Sequence, residues 1–137
     1  VVLDTNVLIS GIRSRQGASF RVLELVGSGR FTVCISVPLI LEYQAAAQRI
    51  LPSTRFSRQD IDGLIDFICT VGERHQIHYL WRPQLQDPKD DMILEIAMAA
   101  QANAIVTFNK NHFKEVLHFG IEVISPQDLL SRIGAGR

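Results

Sequence analysis

The chain has 137 residues, of which 47% are hydrophobic and 20% are charged, and its formal net charge is zero. This composition supplies enough apolar side chains for a core and excludes a disordered chain, while no apolar run approaches the roughly 20 residues that span a membrane. Because the net charge is zero, any surface that binds nucleic acid must be a local cluster of Arg and Lys.

Short β-rich segments alternate with segments of helical periodicity along the sequence. Strands are predicted at residues 1–3, 31–35, 76–80, 104–107 and 121–124. Helices are predicted at residues 17–26, 38–49, 58–72 and 90–102, with shorter helical pieces at 111–117 and 126–132. This alternation predicts an α/β fold with a mostly parallel sheet and helices on both of its faces. Ligand sites in such sheets lie beyond the carboxyl ends of the strands, which directs attention to polar residues there.

The ends of two helices and the cysteines add further predictions. Pro38 and Pro126 suit the first turn of a helix, and Ser36 and Ser125 precede them as N-caps. The length predicts a single domain over residues 1–133 with a flexible tail at 134–137. The two cysteines lie among apolar residues and form no CxxC pair, so we expect free thiols and a cytoplasmic protein.

Asp4 comes at the carboxyl end of the first predicted strand. A carboxylate there is either a ligand for a cation or an N-cap for a following helix, and the sequence leaves both interpretations open. Phosphatases of the haloacid dehalogenase type carry Asp-x-Asp at this point. Asn6 occupies the second acidic position, which argues against that class.

Glu42 is the second candidate, since it lies just over one turn into a helix that is largely apolar. It shares a face of that helix with Leu39 and Arg49. A functional carboxylate, a solvated side chain and an ion pair with Arg49 are all compatible with this position.

Asp90 is the most informative acid, because helical periodicity places it on the same side as the apolar residues Ile93 and Leu94. A carboxylate directed at the interior needs a metal ion or a cluster of hydrogen-bond donors. Asp91 and Glu95 fall on a different side at i,i+4 spacing, where they are either solvated or able to bridge a cation.

Thr107 and Asn109 follow another apolar strand, so they also belong to a carboxyl end and offer neutral oxygen ligands. His112 lies nearby; a surface or packed imidazole is the more usual role for such an isolated histidine. The sequence contains no G-x-S-x-G motif, no P-loop and no dinucleotide-binding glycine fingerprint, which leaves the acids as the main chemical signal.

Taken in order, these segments resemble the PIN domain family. The resemblance rests on Leu3-Asp4-Thr5-Asn6-Val7-Leu8, on Pro38 to Glu42, on Asp87-Pro88-Lys89-Asp90-Asp91 and on Ile105-Val106-Thr107-x-Asn109. Among PIN proteins, the chain is most similar to the toxin components of toxin–antitoxin pairs (VapC-like proteins). The resemblance implies a three-layer α/β/α sandwich with a mainly parallel, twisted five-stranded sheet. It also implies hydrolysis of RNA with Mg²⁺ or Mn²⁺, an antitoxin protein as partner and a homodimer.

The same resemblance assigns roles to individual residues. Asp4 and Asp90 would be metal ligands, and Glu42 would be a ligand or would orient a water on the metal. Asn6 and Thr107 would support the site by hydrogen bonds.

Asn109 departs from the family pattern, because many active members have an acid at this position. An asparagine still offers a carbonyl oxygen to a hard cation but does not neutralise its charge. Asp91 or Glu95 would compensate if either reached the site. The alternative function is therefore a catalytically weak or inactive PIN-fold module that binds RNA or protein.

Overall fold

The structure is a computed structural model that describes residues 1–76 and 88–134, and for residues 88–91, 115, 116 and 118 it describes the backbone only. The strands are β1 (Val2–Leu3), β2 (Cys34–Ile35), β3 (Glu73–Arg74), β4 (Ala104–Val106) and β5 (Glu122–Ile124). The helices are α1 (Thr5–Arg13), α2 (Ala18–Leu25), α3 (Val37–Ile50), α4 (Arg58–Val71), α5 (Pro88–Ala99) and α6 (Pro126–Arg132). Two 3₁₀ helices cover Leu51–Ser53 and Lys110–Phe119.

All the strands of the described residues pair in parallel. β1 pairs with β4, β4 with β5, and β2 with β3, and all three pairs are parallel. A backbone hydrogen bond of 2.8 Å from the N–H of Cys34 to the carbonyl oxygen of Val1 joins the two groups of strands. The structure therefore has a three-stranded sheet in the order β1-β4-β5 and a two-stranded sheet, β2-β3, next to it. The five parallel strands agree with the predicted PIN-like α/β architecture.

Two hydrophobic cores lie on opposite faces of the three-stranded sheet. Val2 and Ile105 belong to the larger core, which α3, α4 and α5 cover. Leu3, Ala104 and Val106 belong to the smaller core, which α2 and α6 cover. This alternation follows from the two-residue period of a strand, and it produces the three layers that were predicted.

Several local predictions are confirmed. The side chain of Ser36 accepts a hydrogen bond from the N–H of Leu39, and that of Ser125 accepts one from the N–H of Asp128. Both therefore cap their helices.

None of the helices in the described part of the chain combines the length and the hydropathy that a membrane span requires.

Helix α1 was not predicted from the sequence. Its β-branched residues Val7, Ile9 and Ile12, together with Gly11, have low intrinsic helix propensity. Val7, Leu8, Gly11 and Ile12 are nevertheless buried against the rest of the domain. Tertiary packing therefore stabilises a helix that the local sequence disfavours.

Some element boundaries also differ from the predictions. The second strand was expected at residues 31–35, but β2 covers only Cys34–Ile35. The third strand was expected at residues 76–80, whereas β3 covers Glu73–Arg74. Both residues of β3 are exposed and charged, so hydrophobic patterning could not indicate it. Residues 77–80 of the third prediction, and residues 135–137 of the predicted tail, lie outside the described residues. Helix α5 ends at Ala99 rather than at residue 102, because Gln101 adopts a positive φ of 50°.

Candidate functional site

A cleft of about 590 Å³ opens beside the carboxyl end of β1. Residues of α1, of α3 and of the segment that follows β4 form its walls. The lining residues are Asp4, Thr5, Asn6, Ile9, Ser10, Arg13, Ser14, Glu42, Ala46, Arg49, Ile50, Asn109 and His112. The cleft thus lies where the sequence analysis placed the chemistry of a parallel sheet.

Asp4 and Thr107 form a buried pair next to this cleft. The register that pairs Leu3 with Val106 makes Asp4 and Thr107 neighbours where the two strands end. Asp4 is 7% exposed, Thr107 is fully buried, and the Thr107 hydroxyl donates a hydrogen bond of 2.7 Å to Oδ2 of Asp4. The pairing holds the carboxylate in one orientation.

The Thr107 hydroxyl also accepts two hydrogen bonds. Nδ2 of Asn6 donates to it over 3.3 Å, and the backbone N–H of Asn109 donates to it over 3.0 Å. A hydroxyl has one hydrogen and two lone pairs, so these two donors leave its hydrogen for Asp4. Asn6 and Asn109 therefore orient the carboxylate indirectly, through Thr107.

The environment of Asp4 disfavours a lone negative charge. Burial raises the pKa of its carboxyl group. The hydrogen bond from Thr107, the backbone N–H groups of Thr5 and Asn6, and the charge of His112 act in the opposite direction. Asp4 occupies the N-cap position of α1, next to the backbone N–H groups that begin the helix. A buried carboxylate whose pKa stays raised despite these donors is suited to bind a cation.

Glu42 reaches the same cleft from α3. Its side chain is 13% exposed, and its Oε1 lies 3.4 Å from Nη2 of Arg49, the partner that helical spacing predicted. The next residue, Tyr43, is buried and donates a hydrogen bond to the carbonyl oxygen of Leu3. This bond fixes α3 against β1 at the residue before Asp4. It therefore holds Glu42 and Asp4 in fixed positions relative to each other.

Among the described residues, three basic side chains line the cleft. They are Arg13 at the end of α1, Arg49 and His112. The sequence predicted Arg49 as a partner of Glu42 but assigned no role in the site to Arg13 or His112. Arg13 lies seven residues, about two turns, after Asn6, so a prediction of α1 would have placed both residues on one face of the helix. No local signal in the sequence identified His112, whose position depends on the turn after β4.

The acids of α5 are described less completely. Asp90 and Asp91 belong to the first turn of α5, and their side chains lie outside the described part of the chain. Ile93 and Leu94 are buried, as the helical periodicity predicted, and Glu95 is half-buried. The proposed roles of Asp90, Asp91 and Glu95 therefore stay predictions.

The donor set of the cleft fits a hard cation. Asp4, Glu42 and the amide oxygen of Asn109 are oxygen ligands, which Mg²⁺ and Mn²⁺ prefer. Within the described residues, no cluster of three Asp, Glu, His or Cys ligand atoms includes Asp4 or Glu42. A complete hard-cation site in this cleft therefore needs a ligand beyond these two acids.

Comparison with known proteins agrees with the fold. A search of curated proteins found no significant match. A family model described as PIN domain matches residues 1–111, a range that includes β1, β4 and all the acids discussed above. PIN domains are generally nucleases and typically bind divalent metal ions. Since the match covers most of its length, the chain belongs to the PIN domain family.

Proposed function

We propose that the protein is a divalent-metal-dependent endoribonuclease whose active site is the cleft beside β1. The observation that carries this proposal is the buried Asp4–Thr107 pair next to a cleft that Glu42 also lines. Burial of a carboxylate costs free energy unless a counter-charge compensates it, and a hard cation is the counter-charge that these oxygen ligands suit.

Each candidate residue has its own role in this proposal. Asp4 and Asp90 hold Mg²⁺ or Mn²⁺, and Glu42 either completes the ligand set or orients the attacking water. The bound cation would supply a more acidic water and would stabilise negative charge on the phosphate during cleavage. Thr107 holds Asp4 in place, and Asn6 holds Thr107.

Arg13 and Arg49 are suited to binding the RNA backbone in this cleft. Both line it, and a guanidinium group matches the geometry of a phosphate. Since the chain as a whole carries no net charge, attraction of RNA must come from local groups of this kind. Loss of either arginine is therefore expected to weaken RNA binding more than it slows the chemical step.

Cleavage of a mixed single-stranded RNA by the purified protein tests the proposal. The reaction is run with Mn²⁺, with Mg²⁺ and with EDTA, beside Asp4→Asn, Glu42→Gln and Asp90→Asn. Asp66→Asn and Glu24→Gln are matched controls, because both side chains are exposed and lie outside the cleft. We expect metal-dependent cleavage that Asp4→Asn, Glu42→Gln and Asp90→Asn lose and that the two controls retain.

Two outcomes would contradict the proposal. Cleavage that persists in EDTA would show that the reaction does not require a divalent metal ion. Equal activity in Asp4→Asn and Asp66→Asn would place the reaction, or a contaminating nuclease, elsewhere.

Asn109 favours a second candidate function, a PIN-fold module that binds RNA or protein without cutting efficiently. It lines the cleft with a neutral side chain where many family members carry an acid. The variant Asn109→Asp separates the two candidates. A large gain in metal-dependent cleavage over an inactive parent would favour the binding module, whereas an active parent would favour the nuclease.

We further propose, from the resemblance alone, that the protein is the toxin of a type II toxin–antitoxin pair and forms a homodimer. Val37 and Leu41 are exposed apolar residues on α3 and give a candidate dimer surface. Expression of the chain and of Asp4→Asn in growing cells tests the toxin role, which requires growth arrest by the parent only. Light scattering of the parent and of Leu41→Glu tests the dimer, which requires twice the monomer mass in the parent and the monomer mass in the variant.

A further inference from the structure

A second cluster of metal-ligating side chains lies on β2 and at β3. It consists of Cys34, Glu73 and His75. The cleft that contains Asp4 shares none of these residues. Cys34 and Glu73 instead line a separate cleft of about 420 Å³, and the two clefts have no lining residue in common.

The strand register brings these three side chains together. Cys34 pairs with Glu73 in the parallel β2–β3 ladder, so both side chains lie on the same face of the sheet. The backbone N–H of His75 donates to the carbonyl oxygen of Ile35 over 2.8 Å, which continues the ladder beyond β3. His75 is two residues after Glu73 and therefore returns to that face.

The three ligand atoms lie close to one another. Nε2 of His75 lies 2.5 Å from Oε1 of Glu73, and the sulfur of Cys34 completes a group whose atoms all lie within 4.8 Å of one another. Cys34 is 6% exposed, whereas the side chains of His75 and Glu73 are 24% and 55% exposed. The sulfur of Cys34 therefore lies at the buried end of the cluster. His75 and Glu73 lie at the solvent-accessible end, from which a cation can reach the site.

The mixture of ligand types narrows the choice of cation. Thiolate, imidazole and carboxylate together are ligands of Zn²⁺, which binds them at about 2.3, 2.0–2.1 and 2.0–2.2 Å. These bond lengths separate the ligand atoms of a tetrahedral site by roughly 3.3–3.7 Å. A bound Zn²⁺ would widen the contact between His75 and Glu73 by about 1 Å, a change that the exposed Glu73 side chain can make.

We propose that Cys34, Glu73 and His75 form a binding site for a divalent cation of the zinc class, separate from the cleft of the proposed nuclease. Three protein ligands leave a fourth position for water. The bound cation fastens β3 to β2 and stabilises the fold. Mg²⁺ does not substitute for it, because Mg²⁺ selects oxygen ligands and disfavours sulfur.

A reactive cysteine is the competing role for this position. Cys34 is only 6% exposed and therefore nearly inaccessible to a macromolecular substrate, which opposes that role.

Titration of the metal-free protein with Co²⁺, a spectroscopic substitute for Zn²⁺, tests the proposal. A cysteine ligand gives a thiolate-to-cobalt charge-transfer band in the near ultraviolet, and one equivalent of Zn²⁺ should abolish it. We expect the band in the parent, in Cys69→Ser and in Asp4→Asn. The band should be lost in Cys34→Ser, and His75→Gln should bind Co²⁺ at least about 100-fold more weakly.

Thermal melting supplies a readout that does not depend on the buried Cys34 variant. One equivalent of Zn²⁺ should raise the Tm of the parent and of Asp4→Asn but not that of His75→Gln, and millimolar Mg²⁺ should not reproduce this rise. Absence of a cobalt band in the parent, a band that survives in Cys34→Ser, or an equal Zn²⁺ response in His75→Gln would overturn the proposal. These readouts involve no RNA, so their outcome is independent of the nuclease assay.

Discussion

Replacement of Thr107 by valine tests the buried pair directly, because valine keeps the shape of threonine but removes the hydroxyl group. The bond from Thr107 to Asp4 is 2.7 Å long, which is typical of a hydroxyl that donates to a charged carboxylate. A hydrogen bond to a charged group contributes about 1.5–3 kcal/mol. Asn6 and Asn109 also lose an acceptor, but both are partly exposed, so water can replace it at little cost. We therefore expect Thr107→Val to lower the free energy of unfolding by about 2 kcal/mol near neutral pH.

The pH dependence of this loss identifies its cause. Burial already raises the pKa of Asp4, and loss of the Thr107 bond raises it further. An acid whose pKa is raised in the folded state contributes stability at low pH, and this contribution is lost as the pH rises through the folded-state pKa. The penalty of Thr107→Val should therefore be smaller at about pH 4, near the pKa of an unfolded aspartate, and reach its full size at about pH 8.

Urea denaturation of the parent, Thr107→Val and Thr107→Ser at both pH values measures these free energies. Thr107→Ser retains the hydroxyl, so its penalty should arise from the lost methyl group and should not change with pH. An equal penalty for Thr107→Val at the two pH values would show that the carboxylate is not the partner that matters, and would refute the assignment. A second readout is the Mn²⁺ dependence of RNA cleavage, which should shift about 10- to 100-fold to higher metal concentration in Thr107→Val.

Three further predictions concern stability. In metal-free buffer at neutral pH, Asp4→Asn should stabilise the protein, because it removes a charge from a buried position. A gain of about 1 kcal/mol in the free energy of unfolding corresponds to a rise of a few degrees in Tm, and a lower Tm would contradict this prediction. Tyr43→Phe removes the donor to a buried β1 carbonyl oxygen and should cost about 1–2 kcal/mol in urea denaturation, whereas an unchanged midpoint would mean that water replaces it. Gly72→Ala would place a Cβ 2.7 Å from the carbonyl oxygen of Ile68 and should cost about 1–3 kcal/mol. Gly63→Ala meets no atom within 4 Å in a helix and should instead stabilise the protein, so equal melting temperatures for the two alanine variants would contradict the packing argument.

The cleft combines opposite charges in a way that bears on its function. Asp4 and Glu42 carry negative charge, and Arg13 and Arg49 line the same space. Arg49 contacts Glu42 over 3.4 Å and is 58% exposed, so it can exchange this contact for an RNA phosphate when a cation neutralises Glu42. If the cleft is the proposed active site, metal binding and RNA binding would then reinforce each other. Measurement of RNA affinity with and without Mn²⁺ can detect this coupling in Asp90→Asn, the variant that we expect not to cut RNA.

The sequence by itself determined the features that depend on neighbouring residues. Hydrophobic periodicity located α2 to α6, and Ser36 and Ser125 marked helix starts because capping involves residues two or three positions apart. The ion pair of Glu42 with Arg49 was also predictable, since it lies within one helix. The ordered set of motifs, from Leu3-Asp4-Thr5-Asn6 to Thr107-x-Asn109, was enough to indicate the PIN family.

Tertiary structure alone decided the features that join distant parts of the chain. Thr107 meets Asp4 across 103 residues because β1 and β4 pair in one register, and no local pattern encodes that register. The β2–β3 ladder likewise places Glu73 beside Cys34 although β3 has no hydrophobic signal. Helix α1 forms because burial of its apolar residues outweighs their low helix propensity, and it brings Arg13 to the cleft. Periodicity is a local property of the sequence, whereas a site assembled from several strand ends depends on how the whole core packs.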